Sequence, residues 1–454
     1  MLSFVLLLLL ISGAQASYYG IVFSYSVGDF QLGAYQETED WRVSFSSCEE
    51  FVSWFCGGDC SPNPVYLIDE SRGEWCQKVF IGIGSISLTS HSYVFVPTNW
   101  IENINGIVSS RFELHLDRRK RSDINKPGSS PQTNIIPLVR VPSNCQRNIN
   151  LLVSDPDGDD IRCRYAVYPE CNICTPPSVL NVSSSCSLSF SPTNSSNEGP
   201  YAVQMVVEDF PRQTITLTED GGGWEVKTTS DAMNRIPIQF VFTVDPAAPS
   251  CTEGEYLPRF LPPTPEHGAQ ISTNDSETLE IIVRAEATQA ETTEILISGP
   301  AGVTKSSSGS GNFTLTWTPV ASDIGLNKTF CFVVQANSSG SVYQSDLRCV
   351  LVTAVSHPST TTPPPTTTTL PTTTNQPTTT TTPPASSIQN STPVPGPNYV
   401  LALNTKISTS LSLETDSATI TNLIKEELIR RGLSPDITLK LLSSGAVQVT
   451  TAAP

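Results

Sequence analysis

The sequence predicts a mainly β protein: tandem β-sandwich-like domains, a disordered Thr/Pro stalk and a small C-terminal β-α-β segment. Three observations predict it. Apolar and polar residues alternate with a period of two over many short stretches, as in strands with one buried face. Clusters of Gly, Pro, Asn, Asp and Ser separate those stretches, as turns between strands require. The 12 cysteines are even in number, which in an oxidising compartment reads as a disulfide framework.

The N-terminus sets that compartment. Phe4 to Ile11 is an unbroken apolar run, followed by Ser12-Gly13-Ala14-Gln15-Ala16. Ala14-x-Ala16 suits a signal peptidase, and the run is too short to span a bilayer. Residues 1–16 are therefore expected to be a signal peptide. No later stretch approaches the roughly 18 apolar residues of a membrane span. Seven N-glycosylation sequons follow, at Asn181, Asn194, Asn274, Asn312, Asn327, Asn337 and Asn390. Behind a signal peptide they mark surface positions for glycans.

Residues 17–117 form the first expected unit, an aromatic-rich, disulfide-bonded β domain. Ile21, Phe23 and Tyr25 alternate, as do Trp41, Val43 and Phe45. Trp41, Trp54, Trp75 and Trp100 lie here, either as a core of large side chains or as an aromatic surface for glycan or protein. Cys48, Cys56, Cys60 and Cys76 can close within the unit in three ways.

Residues 118–132 read as a basic linker. Arg118-Arg-Lys-Arg121 matches the R-x-[K/R]-R pattern of secretory convertases, so Arg118 and Arg121 are candidate cleavage determinants. Cleavage needs an extended, accessible backbone.

Residues 133–248 form a second, sandwich-like unit with an acidic turn. Ile149, Leu151 and Val153 alternate before Asp155-Pro-Asp-Gly-Asp-Asp160, and Ile161, Cys163 and Tyr165 alternate after it. The passage reads as a hairpin. Asp155, Asp157, Asp159 and Asp160 are candidate calcium ligands, because carboxylates supply hard oxygens. Glu208, Asp209 and Asp245 are available to complete a shell. The spacing departs from an EF-hand loop, and the same residues serve equally as a solvated turn. Calcium is the sole cofactor candidate.

Residues 249–355 form the third unit. Gly340 lies midway between Cys331 and Cys349, so a symmetric hairpin would set these two cysteines opposite each other, within bridging reach. A Cys331–Cys349 disulfide is expected. Six cysteines, Cys145, Cys163, Cys171, Cys174, Cys186 and Cys251, remain in any of 15 pairings. Residues 356–397 are a mucin-like Thr/Pro stalk that cannot build a core. Residues 398–454 hold two strand-like stretches around a helix with Ile420, Leu423, Ile424 and Leu428 on one face.

Composition narrows the function. The net charge is -17, from 26 basic and 43 acidic residues, which disfavours nucleic acid as a partner. The four histidines, His91, His115, His267 and His357, fall in no metal or nucleophile motif. An enzyme is not expected.

Some residues carry a resemblance. Ile136-Pro-Leu-Val-Arg-Val-Pro-Ser-Asn-Cys145, Asp155-Pro-Asp-Gly-Asp, Cys163-Arg-Tyr165 and Val207-Glu-Asp-Phe-Pro-Arg212 resemble a family of fish extracellular proteins sometimes labelled integrin beta-like. Thr243-Val-Asp-Pro246, Tyr256-Leu-Pro258 and Arg348-Cys349 are similar to the same family. Trp317-Thr-Pro319 followed by Asp323-Ile-Gly325 resembles an immunoglobulin-like module. The resemblance implies cadherin- or immunoglobulin-like sandwiches and a secreted or cell-surface architecture. The expected function is adhesion or recognition of a protein or glycan ligand, without catalysis. The alternative is a structural component of mucus, egg coat or matrix that self-associates through residues 398–454.

Overall fold

The computed structural model describes residues 17–31, 33–49, 65–71, 73–275 and 277–356, and in the tail 399–403, 425, 438–441 and 447–451. The expected signal peptide, Trp54, Cys56, Cys60, Asn390 and all but the first residue of the expected stalk lie outside the described residues. Residues 1–362 form one compact unit and 363–454 another.

The chain begins with β1 (Tyr18–Gln31), β2 (Ala34–Phe45), β3 (Val65–Ser71), β4 (Trp75–Ser85), β5 (Ser90–Phe95), β6 (Phe112–Asp117) and β7 (Lys120–Arg121). β1 and β2 are antiparallel, with Ile21 opposite Val43 and Phe23 opposite Trp41. β4 adds to β2 and β3 adds to β4. Trp41, Trp75 and Trp100 are buried, so these three build core. Tyr18 meets Trp100 edge-on at 4.9 Å, and Phe23 meets Trp41 edge-on at 4.4 Å, the arrangement that aromatic quadrupoles favour.

Next come β8 (Leu138–Pro142), β9 (Arg147–Asn150), β10 (Asp160–Tyr165), β11 (Leu180–Val182), β12 (Ser187–Phe190), β13 (Gly199–Phe210), β14 (Ile215–Thr218), β15 (Trp224–Lys227) and β16 (Arg235–Asp245). β16 is the hub. Ile236, Ile238, Phe240, Val241 and Phe242 are all fully buried, because both faces of the strand are covered. It pairs antiparallel with β13, with β6 at Arg235–His115 and with β1 at Val22–Ile238. It also pairs in parallel with β8. The main sheet runs β10-β13-β16-β1-β2-β4-β3. Residues 17–117 and 133–248 thus contribute to the same sheet. Alternation reveals which face of a strand is buried but not which strand lies beside it. Gly20 marks the join: a Cβ there would fall 1.9 Å from Gln239 O, at a φ of +133°, so only glycine fits.

β9, β12 and β11 form a second layer, with the Phe190 and Phe242 rings 5.6 Å apart. The acidic turn does not close a hairpin. β9 before it pairs with β12, whereas β10 after it pairs with β13. The turn carries the chain from one layer to the other, and its residue chemistry is the same in either role.

The expected basic linker is placed differently too. Lys120 and Arg121 pair with Thr218 and Leu217, in a sheet ordered β15-β14-β7. Arg118, Arg119 and Arg121 are 8%, 8% and 3% exposed. Ser129 and Ser130 are buried and accept hydrogen bonds from the Val27 and Tyr25 amides. A basic composition is consistent with a solvated loop only while no carboxylates wait to pair with it.

The third stretch comprises β17 (Arg259–Leu261), β18 (Gln270–Asn274), β19 (Leu279–Glu286), β20 (Glu291–Ser298), β21 (Thr304–Gly309), β22 (Asn312–Trp317), β23 (Asn327–Ser338), β24 (Ser341–Gln344) and β25 (Arg348–Val355). Two sheets, β17-β19-β22-β21 and β18-β25-β23-β20 with β24 on β23, make a sandwich. Trp317 is buried against Phe330, ring centroids 5.5 Å apart. Cys331 and Cys349 are register partners on β23 and β25 and are bonded to each other.

This sandwich is seated firmly against the main sheet. Ile68 and Val79 join its core cluster. Asp69 accepts the Ile297 amide at 2.8 Å and the Lys305 ammonium at 2.6 Å. Gln344 donates to Leu138 O and accepts the Arg140 amide. Buried polar groups that are mutually satisfied specify one docking geometry.

In the second unit, β26 (Tyr399–Leu403), β27 (Thr438–Leu441) and β28 (Val447–Thr451) form an antiparallel sheet with β28 central. Lys425 is helical.

Candidate functional site

Two sequence features expected to act separately meet in space. The basic knot alternates its side chains between carboxylate partners. Arg118 bonds Glu37 at 2.8 Å and Glu39 at 2.6 Å, and its guanidinium lies 5.5 Å from the centre of the Tyr25 ring. Arg119 grips Asp117 with two bonds and reaches Glu225 at 2.7 Å. Arg121 turns to the acidic turn: it holds Asp159 through both Nη1 and Nη2 and Asp123 through Nε and Nη2. Lys126 lies 3.8 Å from Asp157. Paired, desolvated and bidentate, this is arginine used for its planar fork.

The turn itself is built by Asp155. Its Oδ1 accepts the Asp157 amide at 2.9 Å and the Asp159 amide at 3.1 Å, an Asx turn. Gly158 follows at a φ of +81°. One oxygen each of Asp155, Asp157 and Asp159 lies within 4.8 Å of the others. Asp160 turns away towards Arg212. Glu208 is taken by Arg164 and Arg235, and Asp245 by Arg140. Asp209 is fully buried near the cluster, accepting both the backbone and side-chain N–H of Asn234. Burial, then the Asp155 charge, drives its carboxyl far above the usual range.

A calcium ion takes 6–8 oxygens. Here both oxygens of Asp159 serve Arg121, and Asp157 Oδ2 accepts the Ser129 amide. Asp155 Oδ2 is buried without a hydrogen-bond partner among the described residues. Burial and the neighbouring Asp159 push the Asp155 carboxyl up to about 7. Its folded pKa is thus above its unfolded one. Its contribution to stability is full below pH ~4 and is lost as pH rises to ~7, by on the order of 4 kcal/mol. Asp155→Asn should therefore match the wild-type melting temperature near pH 4 and exceed it near pH 8 in chelator. Equal melting at both pH values would refute the burial argument. A rise in wild-type melting in millimolar calcium that Asp155→Asn abolishes would assign a cation to this turn, and no shift would remove calcium.

The second candidate lies at the seam between the main sheet and the third-stretch sandwich. A cleft of about 290 Å³ is walled by Tyr66, Ile81 and Ile83 on one side and by Pro300, Ala301 and Val320 on the other, with Thr38, Asp40, Asp323 and Lys328 among its polar lining. Ile83 and Val320 are 65% and 59% exposed. Apolar walls with a few convergent polar groups, placed between two packed bodies, are the usual setting of a ligand site. A second, polar cleft of about 350 Å³ is lined by Gln146, Arg147, Asn148, Glu253 and Asp346. There Arg147 is bonded to Asp346.

Five disulfides join the described cysteines: Cys48–Cys76, Cys145–Cys251, Cys163–Cys186, Cys171–Cys174 and Cys331–Cys349. Among the described sequons, Asn181 and Asn194 are exposed, and Asn274, Asn312, Asn327 and Asn337 are half-buried. Sequence reasoning passed over Trp224, which is 70% exposed on the outer strand of the β15-β14-β7 sheet. The three glycines before it, Gly221-Gly-Gly223, were the available signal. No helix among the described residues is long and apolar enough to cross a membrane.

No family profile matches the chain. It is 25% identical over 257 residues to integrin beta-like protein E of Dictyostelium discoideum, a match covering 51% of this chain and 12% of that protein. Among solved structures, it is similar to tandem Ig repeats of Dlar, at 11% identity and a TM-score of 0.20, over 50% of this chain and 98% of that one. It is also similar to the sialic acid binding region of a Streptococcus sanguinis adhesin, at 10% identity and a TM-score of 0.19, over 70% of this chain and 92% of that one. Tandem Ig domains of titin give 10% identity and a TM-score of 0.16, over 49% and 97%. The chain is thus a mainly β, disulfide-bonded protein with distant homology to an integrin beta-like protein.

Proposed function

We propose that the protein is a secreted or cell-surface glycoprotein that acts as an adhesion or recognition module, with its ligand held at the seam cleft. The observation that carries this reading is the cleft itself, whose exposed apolar side chains stand between two bodies locked by buried polar contacts. A preorganised site loses little entropy on binding. The disulfides fit an oxidising compartment. The signal peptide, the occupied sequons and the Thr/Pro stalk belong to the same proposal, as does kinship with the integrin beta-like family.

The test uses labelled full-length chain on cultured cells. Ile83→Asp should weaken binding by about tenfold or more, since a charge is placed where apolar contact is made, while the melting temperature stays at the wild-type value. Unchanged binding would remove the cleft from the account. Light scattering on the secreted chain tests the structural alternative. A monomer supports recognition, and oligomers that vanish on deleting residues 398–454 would replace it with assembly.

A further inference from the structure

Beneath the seam cleft, three oxygen atoms from three separate segments are shut away from solvent without hydrogen-bond partners among the described residues. They are Asp40 Oδ1 on β2, Thr133 Oγ1 between β7 and β8, and Thr329 Oγ1 on β23. Thr133 and Thr329 are 3% and 6% exposed. All three residues line one small void of about 10 Å³, together with Ser24, Arg42, Gln132, Asn327 and Lys328. Asp40 and Lys328 also line the cleft above. Leaving a buried polar atom unpaired is costly, and three around one void is not a stable dry arrangement.

We infer that this void is the seat of one ordered water molecule that ties the main sheet to the third-stretch sandwich. The volume is about the minimum that holds one water, and three polar partners match the usual two to four. Each threonine hydroxyl donates to the water oxygen, and the water donates one of its two protons to Asp40 Oδ1, which makes three bonds. A metal cation is the wrong occupant. Asp40 already bonds Arg42 at 2.8 Å, and Lys328 stands at the same void, so a third positive charge would be repelled. The water would fix the height of β2 relative to β23, and hence the width of the cleft that both flank.

A crystal structure of the full-length chain is the direct test. The expected result is a density peak about 2.6–3.2 Å from at least two of the three oxygens. A peak with anomalous signal after a thallium soak would replace water with a cation and overturn the inference. So would direct bonding of the hydroxyls to Asp40 with no peak. Thermal melting gives an independent reading. In protein refolded oxidatively from bacteria, and so without a glycan at Asn327-Lys328-Thr329, Thr133→Val and Thr329→Val should each lower the melting temperature by about 2–4 °C. The double variant should fall well short of the sum, because both lose the same bridge. Thr329→Ser, which keeps the hydroxyl, should restore most of the loss. Strictly additive losses, or no rescue by serine, would sink the shared water.

Discussion

Arg121→Met should destabilise the folded chain by about 3–5 kcal/mol, the range for stripping one partner from a buried ion pair. The side chain of Arg121 is 3% exposed, as is that of Asp159 opposite it. Removing the guanidinium strands Asp159 beside Asp155 and Asp157, whose carboxyls burial already raises. It also releases Asp123, which the Arg121 guanidinium holds below the usual carboxylate range. Arg121→Lys should recover only part of the loss, because one ammonium cannot make the forked contacts. Adding Asp159→Asn to Arg121→Met should recover much of it, since the uncompensated charge is then gone. Guanidinium unfolding of the three variants checks the order. If Arg121→Met costs under about 1 kcal/mol, the pair behaves as a solvated surface bridge and the burial argument fails. The same contacts bear on processing: a convertase must draw Lys120 and Arg121 out of a sheet, and Arg118 and Arg119 out of their ion pairs, before it can cut. Folded protein should therefore remain one chain under conditions that cleave an exposed linker.

Losing the Cys145–Cys251 disulfide should be the next largest effect. The bond spans a sequence separation of 106, and closing a loop of that size is worth up to about 5 kcal/mol in the chain-entropy account. Cys145 also packs with Ala248, Leu257 and Tyr343 in a small buried cluster, so Cys145→Ser with Cys251→Ser loses packing as well. The bond anchors the segment that leaves β16 for the third-stretch sandwich. Cys171–Cys174 supplies the contrast, with a separation of 3 and an expected worth of about 2 kcal/mol. The unfolding midpoint should fall further for the Cys145/Cys251 pair than for the Cys171/Cys174 pair. The reverse order would mean that native-state contacts, not loop closure, govern these bonds.

The strand-forming stretches, the asparagine and glycine turn chemistry and the disulfide-forming composition are local properties. They depend on neighbours a few residues away, and so they are visible in a line of letters. Ile21-x-Phe23-x-Tyr25 has to bury one face whatever lies beside it. Asp155-Pro-Asp-Gly has to turn. Trp317 reads as a core residue of a strand that ends at the following Thr-Pro pair.

What those elements join is another matter. Val22 finds Ile238, and Arg121 finds Asp159, across separations that no period or spacing encodes. By itself the sequence determined a mainly β chain, punctuated by turns and rich in cysteine. Only the tertiary structure decided that β16 gathers strands from both early stretches and that the basic knot is the counter-charge of the acidic turn. The physical reason is that backbone pairing and ion pairing reward proximity in space. A buried arginine and a solvated one are spelled the same way.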